Sequence, residues 1–93
     1  HRGCVVVDSG AQRALTEHDR SLLPAGVTDC DGDFAAGDVI RISNEQGDEL
    51  GRGVSRYTAT ELRRVFGKSS PAVEKELRRP ALEVINRDDL VLF

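Results

Sequence analysis

The sequence contains no methionine and no tryptophan, one tyrosine, three phenylalanines and only two cysteines. No apolar run approaches the roughly 20 residues needed to span a bilayer. No basic start followed by an apolar region resembles a signal peptide, so the expected location is the cytosol and no membrane partner is expected. Cys4 and Cys30 lie far apart without a CxxC or Cys/His spacing, which reads as two reduced, partly buried thiols. His1 and His18 add no metal-ligand pattern. Equally absent are GxGxxG, the P-loop, HExxH and GxSxG, and with them the usual ways of holding phosphates, metal or an activated nucleophile. No cofactor, metal or catalytic residue is therefore assigned to this chain.

What is present suits one ordinary domain. The chain has 93 residues, 39% apolar and 31% charged, enough for a single modest core and well away from disordered composition. Its net charge is −3, which removes any global attraction to phosphate backbones while leaving room for a local basic patch. The acids Asp29, Asp31, Asp33 and Asp38 superficially suggest a calcium loop. They lack the flanking helices and the glutamate at the twelfth position, so a solvated acidic turn is the better reading.

The organising stretch runs from Ser21 to Ile42. Leu23-Pro24-Ala25-Gly26 reads as a fixed bend, with Pro24 locking φ and Gly26 free to take a positive φ. Strands are expected from Val27 and from Val39, separated by a loop with Gly32 and Gly37. Before them, Cys4–Val7 is a β-branched strand, and Ser9 with Gln12 suggests a capped helix from Ala11 to about His18. After them, Glu45–Asp48 turns strand 39–43 into strand 49–57, where Gly51 and Gly53 flank Arg52 and mark a bulge, a bend or a close backbone approach. Thr58 with Glu61 opens a second helix with Leu62, Val65 and Phe66 on one face. Gly67 stops it. Ser70 as N-cap, with Pro71 at the first helical position, starts a third that reaches Leu77 or Arg79 before Pro80. Leu82–Ile85 and Leu90–Phe93 read as two last strands joined by an Asn86–Asp89 turn. The sum is mainly β with short helices (α+β), a partly closed and mostly antiparallel barrel of about six strands with two or three short flanking helices.

Several segments together carry a resemblance that covers nearly the whole chain in order. They are Val5–Ala11, Ser21–Val27, Gly32-Asp33-Phe34, Gly37-Asp38-Val39, Gly51-Arg52-Gly53, Tyr57-Thr58 with Glu61-Leu62, and Asn86–Leu92. This pattern resembles the C-terminal PUA domain of bacterial glutamate 5-kinases (gamma-glutamyl kinases). The resemblance implies a PUA-like pseudo-barrel over residues 1–93, with His1-Arg2-Gly3 as a linker remnant. It implies an amino-acid kinase domain in the same polypeptide, absent from this chain, that carries the ATP, magnesium and glutamate sites. The parent would phosphorylate the γ-carboxylate of glutamate in the first step of proline biosynthesis, under proline feedback, and could form a homo-oligomer.

Two functions stay open on this reading. One is a regulatory and interaction module that biases the kinase through a differential contact, with Leu22, Leu23, Arg63 and Arg64 as candidate surface groups unless the leucines are core. The other follows from PUA domains elsewhere, which grip structured RNA with the first helix and the corner after it. The matching positions are Arg20, Ser21, Pro24, Ala25 and Gly26, with Arg13, Arg52, Arg56, Arg63 and Lys68 as phosphate contacts. Cations gathered into one patch would favour RNA, and cations scattered over all faces would count against it.

Overall fold

Alternation of buried and exposed residues builds the sheet. In the computed structural model, which describes residues 3–93, strand β1 (Gly3–Val7) buries Val5 and Val7, and β3 (Val39–Asn44) buries Ile40 and Ile42. His1 and Arg2 of the expected linker lie outside the described residues, and Gly3 already pairs with Gly32. The remaining strands are β2 (Val27–Gly32), β4 (Glu49–Val54) and β5 (Leu90–Leu92), and the order across the sheet is β2-β1-β3-β4-β5. All neighbours are antiparallel except β1 and β3. That parallel pair needs a crossover, which helix α1 (Ser9–Glu17), the corner and β2 supply. The β3–β4 hairpin is closed by Asn44, whose Oδ1 accepts from the backbone N–H groups of Gln46 at 3.0 Å and Asp48 at 2.9 Å.

Helices α2 (Ala59–Val65) and α3 (Ser70–Leu77) complete the domain. Leu15 of α1, Leu62 and Val65 of α2, and Val73 of α3 share one core with the buried strand residues, Tyr57, Val84 and Ile85. None of the helices among the described residues is long and apolar enough to cross a membrane. Two starts differ from expectation. Asp8, not Ser9, caps α1 by accepting from Ala11 N–H at 2.7 Å, and Ser69 precedes α3 in the cap position without a side-chain bond. Asp8 prevails because it is the last extended residue before the helix.

The sixth strand is not formed. Residues 82–85 make only an isolated bridge, Leu22 with Ile85, although Val84 and Ile85 are both fully buried. A pleated strand sends successive side chains to opposite faces, so two consecutive core residues fit an irregular segment better. Its backbone is held crosswise instead: Val84 N–H donates to Leu22 C=O at 2.7 Å and Arg56 N–H to Val84 C=O at 2.9 Å. Strand β4 also ends earlier than expected, at Val54. There the Ser55 hydroxyl donates to Tyr57 C=O at 2.7 Å and accepts its N–H at 3.2 Å, turning the chain toward α2.

The start of α2 makes stability depend on pH. Thr58 N–H donates to Glu61 Oε1 at 2.9 Å, the Thr58 hydroxyl accepts Glu61 N–H at 3.1 Å, and Arg79 Nη1 lies 2.8 Å from Glu61 Oε2. The bond from the Thr58 backbone first, and Arg79 after it, hold the Glu61 pKa below the ordinary carboxylate range. A lowered folded pKa gives stabilisation that is complete above the unfolded value and lost as pH falls through the folded one. Glu61→Gln should therefore flatten the loss of stability on acidification, read from urea midpoints between about pH 7 and about pH 3. An identical slope in both proteins would contradict this.

Candidate functional site

The corner is built by packing as well as by turn chemistry. Leu23 is extended (φ −102°, ψ 154°), Pro24–Gly26 forms one 3-10 turn, and Gly26 N–H donates to Leu23 C=O at 3.1 Å. The turn is tied to its surroundings by Asp8 N–H on Gly26 C=O at 3.0 Å and Gly67 N–H on Pro24 C=O at 2.8 Å. Gly67 adopts φ +80°, so glycine there both ends α2 and reaches back to the corner. Gly26 is glycine for a different reason from the one expected. Its φ is not positive, but a Cβ there would stand 2.6 Å from Ala11 Cβ, so α1 lies directly on the turn. Gly26→Ala should cost about 1–3 kcal/mol in chemical denaturation, with most of it returned by Ala11→Gly in the same chain. Equal costs in the single and double variants would refute that contact.

Between α1, the corner and residues 83–88 lies an open groove of about 1010 Å³. Arg20, Ser21, Ala25 and Gly26 line it, as the sequence suggested, whereas Pro24 is buried beneath. The two candidate leucines part here: Leu22 is core at 1% exposure, and Leu23 stands at the groove 49% exposed. Sequence reasoning did not assign Glu83, Asn86 and Arg87 to this site. Ser21 Oγ accepts Arg87 N–H at 2.9 Å, and Asn86 donates to Glu83 at 2.9 Å. Bonds from Ser21 and then Asn86 hold the Glu83 carboxylate below its ordinary pKa. Arg87 Nη1 meets Asp19 C=O at 3.4 Å and its carboxylate at 4.0 Å. The groove thus carries Arg20 and Arg87 against Asp19, Glu83 and Asp88, and is not a positive cradle.

The other candidate cations stand elsewhere, most beside an acid. Arg52 Nε lies 3.1 Å from Glu49, Arg13 is 3.1 Å from Glu17, and Arg56 is 3.9 Å from Asp89. Arg63 donates to Gly32 C=O. Arg64, at 2.5 Å, and Lys68, at 3.5 Å, converge on Glu76 between α2 and α3. The predicted set is thus brought together only at the corner; Arg52, Arg63 and Arg64 are on separate surfaces.

Comparison with known proteins follows the same architecture. The family model described as the PUA domain matches residues 3–77, from β1 through α3. The chain belongs to the PUA domain family. Glutamate 5-kinases match this PUA domain along nearly its whole length: that of Synechococcus sp. (strain JA-3-3Ab) is 44% identical over 92 residues, 98% of this chain and 25% of that protein. That of Geobacillus thermodenitrificans is 47% identical over 91 residues, 96% of this chain and 24% of that protein. The chain spans about a quarter of the length of these relatives and corresponds to their C-terminal region. Among solved structures, a PUA domain from Aeropyrum pernix K1 in a tartrate complex superposes with TM-score 0.68 at 25% identity, covering 95% of this chain and 45% of that one. The archaeal box H/ACA sRNP Nop10–Cbf5 complex gives TM-score 0.69 at 14% identity, over 99% of this chain and 24% of that one, a likeness of fold alone.

Proposed function

We propose that this PUA domain is the accessory, regulatory module of a glutamate 5-kinase, an ATP-dependent enzyme that phosphorylates the γ-carboxylate of glutamate at the entry to proline biosynthesis. Its main partner is the kinase domain of the same polypeptide, which holds ATP, magnesium and glutamate, in a cytoplasmic and homo-oligomeric enzyme. The observation that carries this reading is 42–47% identity to glutamate 5-kinases over nearly the entire chain. The arrangement of charge supports a protein-facing role: cations are dispersed over several faces, and most lie beside carboxylates. Phosphate-driven binding needs them concentrated.

The RNA alternative is tested by titrating the purified chain with tRNA while salt is raised from about 50 to about 200 mM, where phosphate-driven affinity collapses. The proposal expects no saturable binding even at the lower salt. Saturable, salt-sensitive binding weakened by Arg20→Ala or Arg52→Ala would overturn it in favour of an RNA-gripping module.

A further inference from the structure

The inner face of the sheet is covered, since Val5, Val7, Ile40 and Ile42 join the core shared with the three helices. Alternation sends Cys4, Val6, Val39, Arg41, Arg52, Val54, Val91 and Phe93 to the opposite face. Large apolar groups are exposed there: Val39 is 46% accessible, Val91 65% and Phe93 75%. The strand register places Cys4 beside Arg41, Arg41 directly opposite Arg52, and Arg52 opposite Val91. The Arg52 guanidinium carbon lies 5.8 Å from the centre of the Phe93 ring.

Asp31 continues the row beyond Cys4, but no acid stands beside Arg41. Two like charges directly opposite on neighbouring strands repel. Arg52 has Glu49 as a counter-ion, but Arg41 makes no ion pair among the described residues, and its Nε is buried without an acceptor. An incoming carboxylate between the two guanidinium groups would relieve their repulsion.

Resting on the reading of this chain as part of a glutamate 5-kinase, we propose that the outer face of the sheet docks on the kinase domain of the same polypeptide. A carboxylate of that domain sits between Arg41 and Arg52, and its apolar side chains cover Val39, Val91 and Phe93. A protein fits better than nucleic acid because the cations are framed by valines, which offer no stacking surface, and by a single phenylalanine. The kinase domain is the occupant because the matched relatives carry three-quarters of their length outside a C-terminal match.

The test is hydroxyl-radical labelling of Val39, Val91 and Phe93 in the full-length polypeptide and in the isolated 93-residue chain. Glutamate-dependent ATP consumption of the full-length protein is measured alongside. Docking predicts severalfold lower labelling of these side chains in the full-length protein. It also predicts return to the isolated level when Arg41→Glu and Arg52→Glu are combined, with the melting temperature of the isolated variant showing that the domain still folds. Equal labelling in full-length protein and isolated chain overturns the proposal, as does protection that appears only on adding tRNA. Activity without protection sinks the docking face and leaves the glutamate kinase assignment standing. Protection without activity does the reverse.

Discussion

Tyr57→Ala is expected to lower the stability of this domain by about 3–5 kcal/mol, the range for removing a fully buried aromatic ring. A chain of this length has about 5–14 kcal/mol in total, so the variant should lose much of it and melt tens of degrees lower, at about 4–8 °C per kcal/mol. The ring is fully buried and packed in the core where β4 hands over to α2. Its hydroxyl donates to Leu82 C=O at 2.7 Å and accepts Leu82 N–H at 3.2 Å, anchoring the irregular segment that failed to become a strand. The Arg79 guanidinium carbon lies 5.5 Å from the ring centre, and Arg79 also reaches Glu61. Tyr57→Phe separates the two contributions. It keeps the ring and removes only the two bonds to Leu82, so the cost should fall to about 1–3 kcal/mol. Urea midpoints for the two variants decide it; equal losses would mean that the hydroxyl, not the ring, is the anchor.

Gly51→Ala should be the second severe change. A Cβ at Gly51 would run into Val91 C=O and lie 2.9 Å from Leu92 Cα. Those atoms are backbone, so relief requires β5 to move away from β4. The cost is expected at the upper end of about 1–3 kcal/mol for overpacking, with faster amide exchange at Phe93, whose N–H donates to Leu50 C=O at 2.9 Å. Gly53→Ala gives the contrast. Its closest neighbour would be the Ile85 side chain at 2.5 Å, which can turn more readily than a backbone, although Asp89 C=O stands at 3.0 Å. Gly53→Ala should cost less and leave Phe93 exchange near the parent rate. Similar effects of the two substitutions would remove the argument for close β4–β5 contact at Gly51.

These glycines show which parts of the fold were legible in the sequence. Gly51 and Gly53 within a strand pattern left a bulge, a bend or a close approach as alternatives. The structure selects close approach, while the register shift of the hairpin falls between Ile42 and Ser43. Signals contained in a few adjacent residues held: β1 from its β-branched run, the β3–β4 hairpin, and the Thr58/Glu61 capping box. The turn pattern locates Gly26 at the bend but suggests φ as the reason, because the real constraint, Ala11, arrives from another element. By composition, the segment 82–85 reads as a strand. Its place is fixed by bonds to Leu22, Tyr57 and Arg56 that no local pattern announces. The candidate site divides in the same way. Arg20, Ser21, Ala25 and Gly26 are neighbours in sequence and in space, whereas Glu83, Asn86 and Arg87 join them from about sixty residues away.

The central claim, a regulatory module attached to a glutamate kinase, is tested most directly by comparing the full-length polypeptide with a version lacking residues 1–93. Glutamate-dependent ATP consumption is followed in both as proline is added. The account predicts that both phosphorylate glutamate, because no catalytic group is assigned to this domain, and that the concentration of proline giving half inhibition differs between them. Indistinguishable turnover and proline response, or a full-length protein that does not phosphorylate glutamate at all, would contradict it.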